Sequence, residues 1–187
     1  MLYTVTINPS EIELQKMLTH LRITSWIEED LFHIRWWFLL FVFLFFIFIW
    51  WKMVDKARLQ EISLYLLITT LVCLGLDEYG EELTLWYYPV DIMPIFPPLT
   101  AVDLASLPII YSLIYQRYKP WKEFILATII MAAIFAFILE PVLVLGKFYA
   151  LHKWKYYYSF PIYIIMAMGI KWIVEKINLI TERSKNR

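Results

Sequence analysis

Glycine is scarce in this chain, with four among 187 residues, and cysteine occurs once. The chain carries no phosphate-cradling glycine loop, no Gly-x-Ser-x-Gly elbow and no His-Glu-x-x-His. A lone cysteine, Cys73, closes no intrachain disulfide, so a disulfide scaffold is excluded. Charge is thin as well: 18% of residues are charged, against about 25% in ordinary soluble domains. Seventeen basic residues cancel seventeen acidic ones, which leaves no basic face and no nucleic-acid partner to expect. His20, His33 and His152 share no ligand spacing. No conventional zinc site and no cofactor are therefore expected, and only a carboxylate-only metal site stays open.

Apolar residues are abundant: they make up 61% of the chain, and 19% of it is aromatic. A chain this small cannot bury so much apolar surface by itself. The composition points to an all-α, polytopic bundle of transmembrane helices, with the lipid bilayer as its solvent. The first 30 residues lack the basic, apolar and small-residue order of a signal peptide. The first long apolar run, Trp36–Trp51, is followed by Lys52 and is expected to remain as an anchor.

Residues 1–33 read as an N-terminal amphipathic surface segment. Ser10 and Glu13 have capping-box spacing, and Ser25 and Glu28 repeat it to open the next helix. Five spans follow, at about 34–54, 60–79, 99–118, 123–145 and 157–177, then a basic tail over 179–187. Tryptophan pairs, Trp36–Trp37 and Trp50–Trp51, mark both ends of the first span as an aromatic belt. Residues 77–98 read as a loop with five carboxylates (Asp77, Glu78, Glu81, Glu82 and Asp91) and no Lys or Arg. Pro89, Pro94, Pro97 and Pro98 exclude a regular helix there. The apolar character of 83–99 predicts a re-entrant or interfacial segment packed on the bundle.

Orientation follows from the Lys and Arg near the span ends. With the N-terminus outside, ten fall inside: Lys52, Lys56, Arg58, Arg117, Lys119, Lys122, Lys176, Arg183, Lys185 and Arg187. Six fall outside: Lys16, Arg22, Arg35, Lys147, Lys153 and Lys155. The acidic loop agrees with this choice, and the basic turn over 147–155 opposes it. The expectation is a cell-membrane protein with its N-terminus outside and its C-terminus cytoplasmic.

Ionisable residues within a membrane are costly and are default functional candidates. On this topology Asp77, Glu78, Asp103 and Glu140 lie at one depth, in the outer third of the bundle. Glu140, Asp103 and Asp77 are the candidate catalytic residues. Glu78, Trp86, Tyr87, His152 and Trp154 are the candidate ligand-binding residues around them. Glu140 precedes Pro141, and the pair predicts a broken helix turn. The ordinary alternatives are a structural pairing of Glu140 with a tyrosine or lysine, helix capping by Asp103, and simple solvation of Asp77 and Glu78. Lys171 near the inner face reads as snorkelling. An internal echo joins two units. Asp77, Gly80, Trp86–Tyr87–Tyr88 and Pro89 parallel Glu140, Gly146, Trp154, Tyr156–Tyr157–Tyr158 and Pro161.

A resemblance rests on several stretches. They include Trp36–Trp37–Phe38–Leu39–Leu40, Trp51–Lys52–Met53–Val54–Asp55–Lys56, Leu76–Asp77–Glu78 and Leu85–Trp86–Tyr87–Tyr88–Pro89. Pro97–Pro98 with Val102–Asp103–Leu104 and Pro108, Tyr115–Gln116, Trp121–Lys122, Phe137–Ile138–Leu139–Glu140–Pro141, Tyr158–Ser159–Phe160–Pro161–Ile162–Tyr163 and Lys171–Trp172 complete the set. In these the chain resembles a family of small, uncharacterised multi-pass membrane proteins of spore-forming Gram-positive bacteria. The resemblance implies an integral cell-membrane protein and brings no activity with it. The layout of carboxylates and aromatics is also similar in pattern to small polytopic cyclases of carotenoid synthesis.

Three functions compete. The first is a non-enzymatic membrane protein that binds a lipid or a membrane partner. The second is an intramembrane enzyme acting on a lipid or isoprenoid, with Glu140 as acid. The third is an ion or proton pathway along the same carboxylates, for which five spans would need a homodimer. The motif-poor sequence favours the first.

Overall fold

The computed structural model describes residues 9–94 and 105–185. Among them the architecture is all-α, relieved by one short ladder. Helix α1 spans Pro9–Ser25 and continues into a π-helical turn, Trp26–Asp30. Helix α2 covers Ile34–Met53 and α3 covers Leu59–Glu82, joined through a 3-10 turn at Lys56–Arg58. Helix α4 is Leu107–Arg117. Helix α5 (Trp121–Ile134), a π turn (Phe135–Leu139) and helix α6 (Glu140–Leu145) form one rod. Helix α7 runs over Tyr156–Lys185. Strands β1 (Trp86–Tyr87) and β2 (Ala150–Leu151) pair antiparallel, Trp86 with Leu151 and Tyr87 with Ala150.

Among the described residues, three stretches are long and apolar enough to cross a membrane: Ile34–Met53, Lys56–Glu82 and Trp121–Leu145. This fits a membrane protein. Phe38, Phe41, Phe45 and Phe48 of α2 all face outward, as lipid contact requires. The tryptophan pairs divide their labour. Trp37 and Trp51 are exposed, whereas Trp36 and Trp50 turn inward. Their indole N–H groups donate to Ile92 O at 3.1 Å and to Ser112 Oγ at 3.0 Å. Fourteen residues are close to four helical turns, so both anchors share one face of α2.

The core lies between α3, α4, α5 and α7. Tyr65 stacks on Tyr115 with ring centroids 4.3 Å apart, and Tyr111 stacks on Phe135 at 6.0 Å. Phe124, Ala167, Ile170 and Val174 fill the space between them. Lipid tails are as apolar as these side chains, so close packing and internal hydrogen bonds hold such a bundle together. The Tyr65 hydroxyl accordingly donates to Ala167 O at 3.2 Å. At the end opposite the ladder, Gln116 ties α4 to the α2–α3 connection. Its amide nitrogen donates to Met53 O and its amide oxygen accepts the Asp55 N–H.

Several expectations need correction. The acidic stretch 77–82 is the last part of α3, and the loop begins only at Leu83. Glutamate is a good helix former, so charge alone did not end the helix. Ser25 has helical dihedrals and no side-chain capping bond, so the chain continues into the π turn instead of opening a new helix. The helix at Glu140–Pro141 is widened, not broken. The Glu140 N–H reaches back to Phe135 O, a π-type bond, and Pro141, which has no N–H to give the preceding turn, follows directly on this widened turn. The presumed tail remains helical through Lys185. Lys171 does not snorkel, being 1% exposed. Its ammonium donates to Lys119 O at 2.8 Å and pairs with Glu175 at 3.2 Å among the rings of Tyr115, Trp121 and Phe124. It thereby satisfies carbonyls just past the C-terminus of α4.

Candidate functional site

Both α3 and α6 end in the same way next to the ladder. Thr84 and Lys147 take positive φ values of 53° and 58°. The Thr84 N–H bonds to Glu81 O and the Leu85 N–H to Gly80 O. The Lys147 N–H bonds to Val144 O and the Phe148 N–H to Leu143 O in the same pattern. Each is a Schellman cap, which satisfies the last carbonyls of its helix. Asp77 stands seven residues before Thr84, and Glu140 stands seven before Lys147. Both carboxylates therefore lie about two turns, or about 10 Å, inside their helix ends. This common offset sets them at one depth.

Between them lies a cavity of about 270 Å³. Asp77, Glu140, Trp86 and Trp154 all line it. The Tyr88 hydroxyl donates to Asp77 Oδ1 at 2.9 Å, and the Tyr163 hydroxyl donates to Glu140 Oε1 at 2.9 Å. Leu85, Leu107, Leu139, Leu143, Ile162 and Met166 supply apolar wall. Leu76 and Tyr79 also belong to the lining and are exposed on the outside of the bundle. Glu140 itself is 6% exposed.

Aromatic rings form one end of the cavity. Trp86 meets Trp154 edge to face at 4.9 Å, and Tyr88 stacks on Tyr149 at 5.3 Å. Gly80 makes this arrangement possible, because a Cβ there would overlap the Trp86 ring. The Trp154 indole donates to Ser159 Oγ at 2.9 Å. The Trp86 indole N–H is buried and has no acceptor among the described residues. Leu85 O accepts the N–H groups of His152, Lys153 and Trp154, so the two loops are joined beyond the two ladder pairs.

The remaining candidates divide. Glu78 belongs to α3 but does not line the cavity. Tyr87 and His152 are exposed, outside the cavity lining, and their rings meet at 6.4 Å. Asp103 lies outside the described residues. Tyr163, Tyr149 and Ser159 belong to the site without having been singled out. Ser159 and Tyr163 lie about one and two helical turns from the start of α7, a weak periodic signal among thirteen tyrosines.

A second carboxylate pair, Asp30 and Asp91, lies where the π turn after α1 meets the segment that follows β1. The Trp26 indole donates to Asp91 O at 3.0 Å. The Asp91 N–H donates to the Asp30 carboxylate. Burial pushes the Asp91 carboxyl up to about 7, with Glu81 and Asp30 adding to the rise and Arg22 opposing it. Burial also raises Asp30, against the Asp91 N–H that favours its charged form. Among the described residues no group of three or more His, Cys, Asp or Glu could hold a metal ion.

Comparison with protein-family models, with characterised proteins and with solved structures finds no match to this chain.

Proposed function

We propose that this is an integral cell-membrane protein that binds a small lipid-class molecule in the cavity between α3, α6 and α7. The carrying observation is the placement of Asp77 and Glu140, each held by a phenol hydroxyl, in a cavity whose other walls are apolar. Small-molecule sites combine such walls with a few convergent polar groups. The outward-facing Leu76 and Tyr79 at its edge fit entry from the lipid side.

Five spans with the N-terminus outside belong to this reading. Successive helices alternate in direction. Trp36 of α2 contacts the loop at the ladder end, while Met53 contacts Gln116 at the other. Helix α3 returns to Asp77, and α4 runs from Leu107 at the cavity to Arg117 at the far end. The α5–α6 rod returns to Glu140, and α7 leaves again from Ser159 to Glu175, which binds Trp121. The excess of Lys and Arg falls at the far end, which is cytoplasmic by the positive-inside rule. The resemblance to small multi-pass membrane proteins of spore-forming Gram-positive bacteria belongs to the same reading.

An enzymatic role is the second reading, favoured by the Tyr163–Glu140 hydrogen bond inside a cavity, an arrangement suited to proton transfer. The test is native mass spectrometry of the protein extracted from its own membrane, beside Glu140→Gln. A lipid-class adduct on the wild type that is lost from the variant is expected. Survival of a protein partner or a dimer alone, equally in both forms, would refute the cavity as a binding site. A chemically altered lipid accumulating only with the wild type would favour the enzyme.

A further inference from the structure

We infer that the ligand carries a neutral oxygen, as carbonyl, hydroxyl or ether, that accepts the Trp86 indole N–H. The occupant is then an oxygenated lipid and not a pure hydrocarbon; this deepens the lipid-binding reading and rests on it. Trp86 lines the cavity and is 9% exposed. Its buried indole N–H meets no acceptor among the described residues. A buried indole N–H normally finds a partner, and leaving it without one is costly. Other donors of the lining differ in this. The Tyr88 and Tyr163 hydroxyls donate to Asp77 and Glu140, and the Trp154 indole donates to Ser159 Oγ.

Trp86 is not free to turn toward an acceptor elsewhere. Its benzene edge lies over Gly80, where a Cβ would overlap it. Trp154 meets it edge to face at 4.9 Å, and its backbone pairs with Leu151 in the ladder. The ring is set before any ligand arrives, so the acceptor must come to it. The rest of the cavity sets the direction of the ligand. Cys73 precedes Gly80 by seven residues on α3, which places it about two turns, or about 10 Å, deeper. Met166 lies beside it, with the sulfur atoms 3.8 Å apart. Both line the cavity together with Leu107 and Leu139. The oxygen therefore lies at the ladder end and the hydrocarbon points into the core. None of the described lining residues is Lys, Arg or His, so an anionic oxygen would meet no cation there.

The test uses the full chain in a neutral maltoside detergent, with isotope-labelled indole N–H groups read by NMR. The probes are methyl hexyl ketone and its isostere in which a methylene group replaces the oxygen. The Trp86 resonance is the one missing from Trp86→Phe; if that variant does not fold, Trp→Phe changes at the other eight of the nine tryptophans assign it by elimination. Trp37 and Trp51, exposed on the outside, give the reference for probe that merely dissolves in detergent. Beyond that reference, the ketone is expected to move the Trp86 proton downfield and the isostere is not, while Trp154 responds to both. The ketone should also bind about fivefold more tightly, as one net hydrogen bond allows. Equal responses of Trp86 and Trp154 to the two probes, with equal affinities, would overturn the inference and leave the lipid-binding reading standing. A Trp86 proton already downfield and moved by neither probe, while Trp154 responds to both, would assign the N–H to a bound water and overturn it too. No response of Trp86 or Trp154 to either probe would refute both.

Discussion

Two glycines on helix α3 should respond to the same substitution with opposite signs. Gly75 has open space where a Cβ would point, whereas a Cβ on Gly80 would overlap the Trp86 indole. Alanine in place of a helical glycine gains about 0.5–1 kcal/mol by restricting the unfolded chain. Gly75→Ala should realise that gain. Gly80→Ala should realise it too, then lose more. The indole cannot retreat freely, because Trp154 holds it edge to face and the ladder fixes its backbone. Forced overpacking typically costs about 1–3 kcal/mol, so the net loss is about 1–2 kcal/mol. In a chain of this size each kcal/mol moves the melting temperature by about 2–4 °C. Thermal melts followed by tryptophan fluorescence in detergent should therefore show Gly75→Ala above the wild type and Gly80→Ala below it. Gly80→Ala should also weaken any ligand bound in the cavity, since Trp86 is part of its wall. If both variants shift upward together, Trp86 does not pack on Gly80 and the cavity has been drawn wrongly.

Stability should also depend on pH through Asp91. Its raised folded value means that the folded chain binds the proton more tightly than the unfolded chain does. This contribution is complete below about pH 4, is lost as the pH rises, and levels off above about pH 7. Asp30 has the same sign. Melting temperatures from pH 4 to 8 should fall in the wild type and flatten in Asp91→Asn; an unchanged slope in the variant would assign the effect elsewhere. Lys171→Met keeps the buried bulk but removes the donor to Lys119 O, and should cost about 1–3 kcal/mol in a denaturant titration; a neutral result would place the ammonium outside the core. Trp36→Phe and Trp50→Phe should each lose about 1 kcal/mol with their hydrogen bonds, while Trp37→Phe and Trp51→Phe stay within about 0.5 kcal/mol. Equal losses in all four would mean that the pairs act only as belts.

The long apolar runs made most helices legible: α2 and the α5–α6 rod fall within two residues of their expected limits. The misjudged stretches were charged ones. Asp77 to Glu82 and the residues after Ile177 looked like loop and tail because hydropathy fell, although apart from Gly80 nothing in them strongly disfavours a helix. Asp77 and Glu140 stood out as acids within or beside apolar runs, and the cavity brings them together. Trp86 and Trp154 were legible as aromatics flanking that depth. Tyr163 was not, because a tyrosine in a helix gives no sign of whether its hydroxyl meets lipid, water or a carboxylate. The ladder of four residues is too short to leave any periodic trace. The burial of Asp91 depends on α1 and α2 folding over it, a contact across more than fifty residues that no local pattern encodes.

The joining of Leu85–Tyr87 to Ala150–Trp154 has a bearing on how the protein is made. Ribosomes deliver α3 well before α7, and the first wall of the cavity must wait for the last. Until Ser159 and Tyr163 arrive, Asp77 has its neighbour Tyr88 but faces an open seam where α7 will stand. Closing that seam joins strands more than sixty residues apart, a slow step compared with the insertion of a single helix. The cavity is therefore a late product of assembly, complete only in a finished bundle.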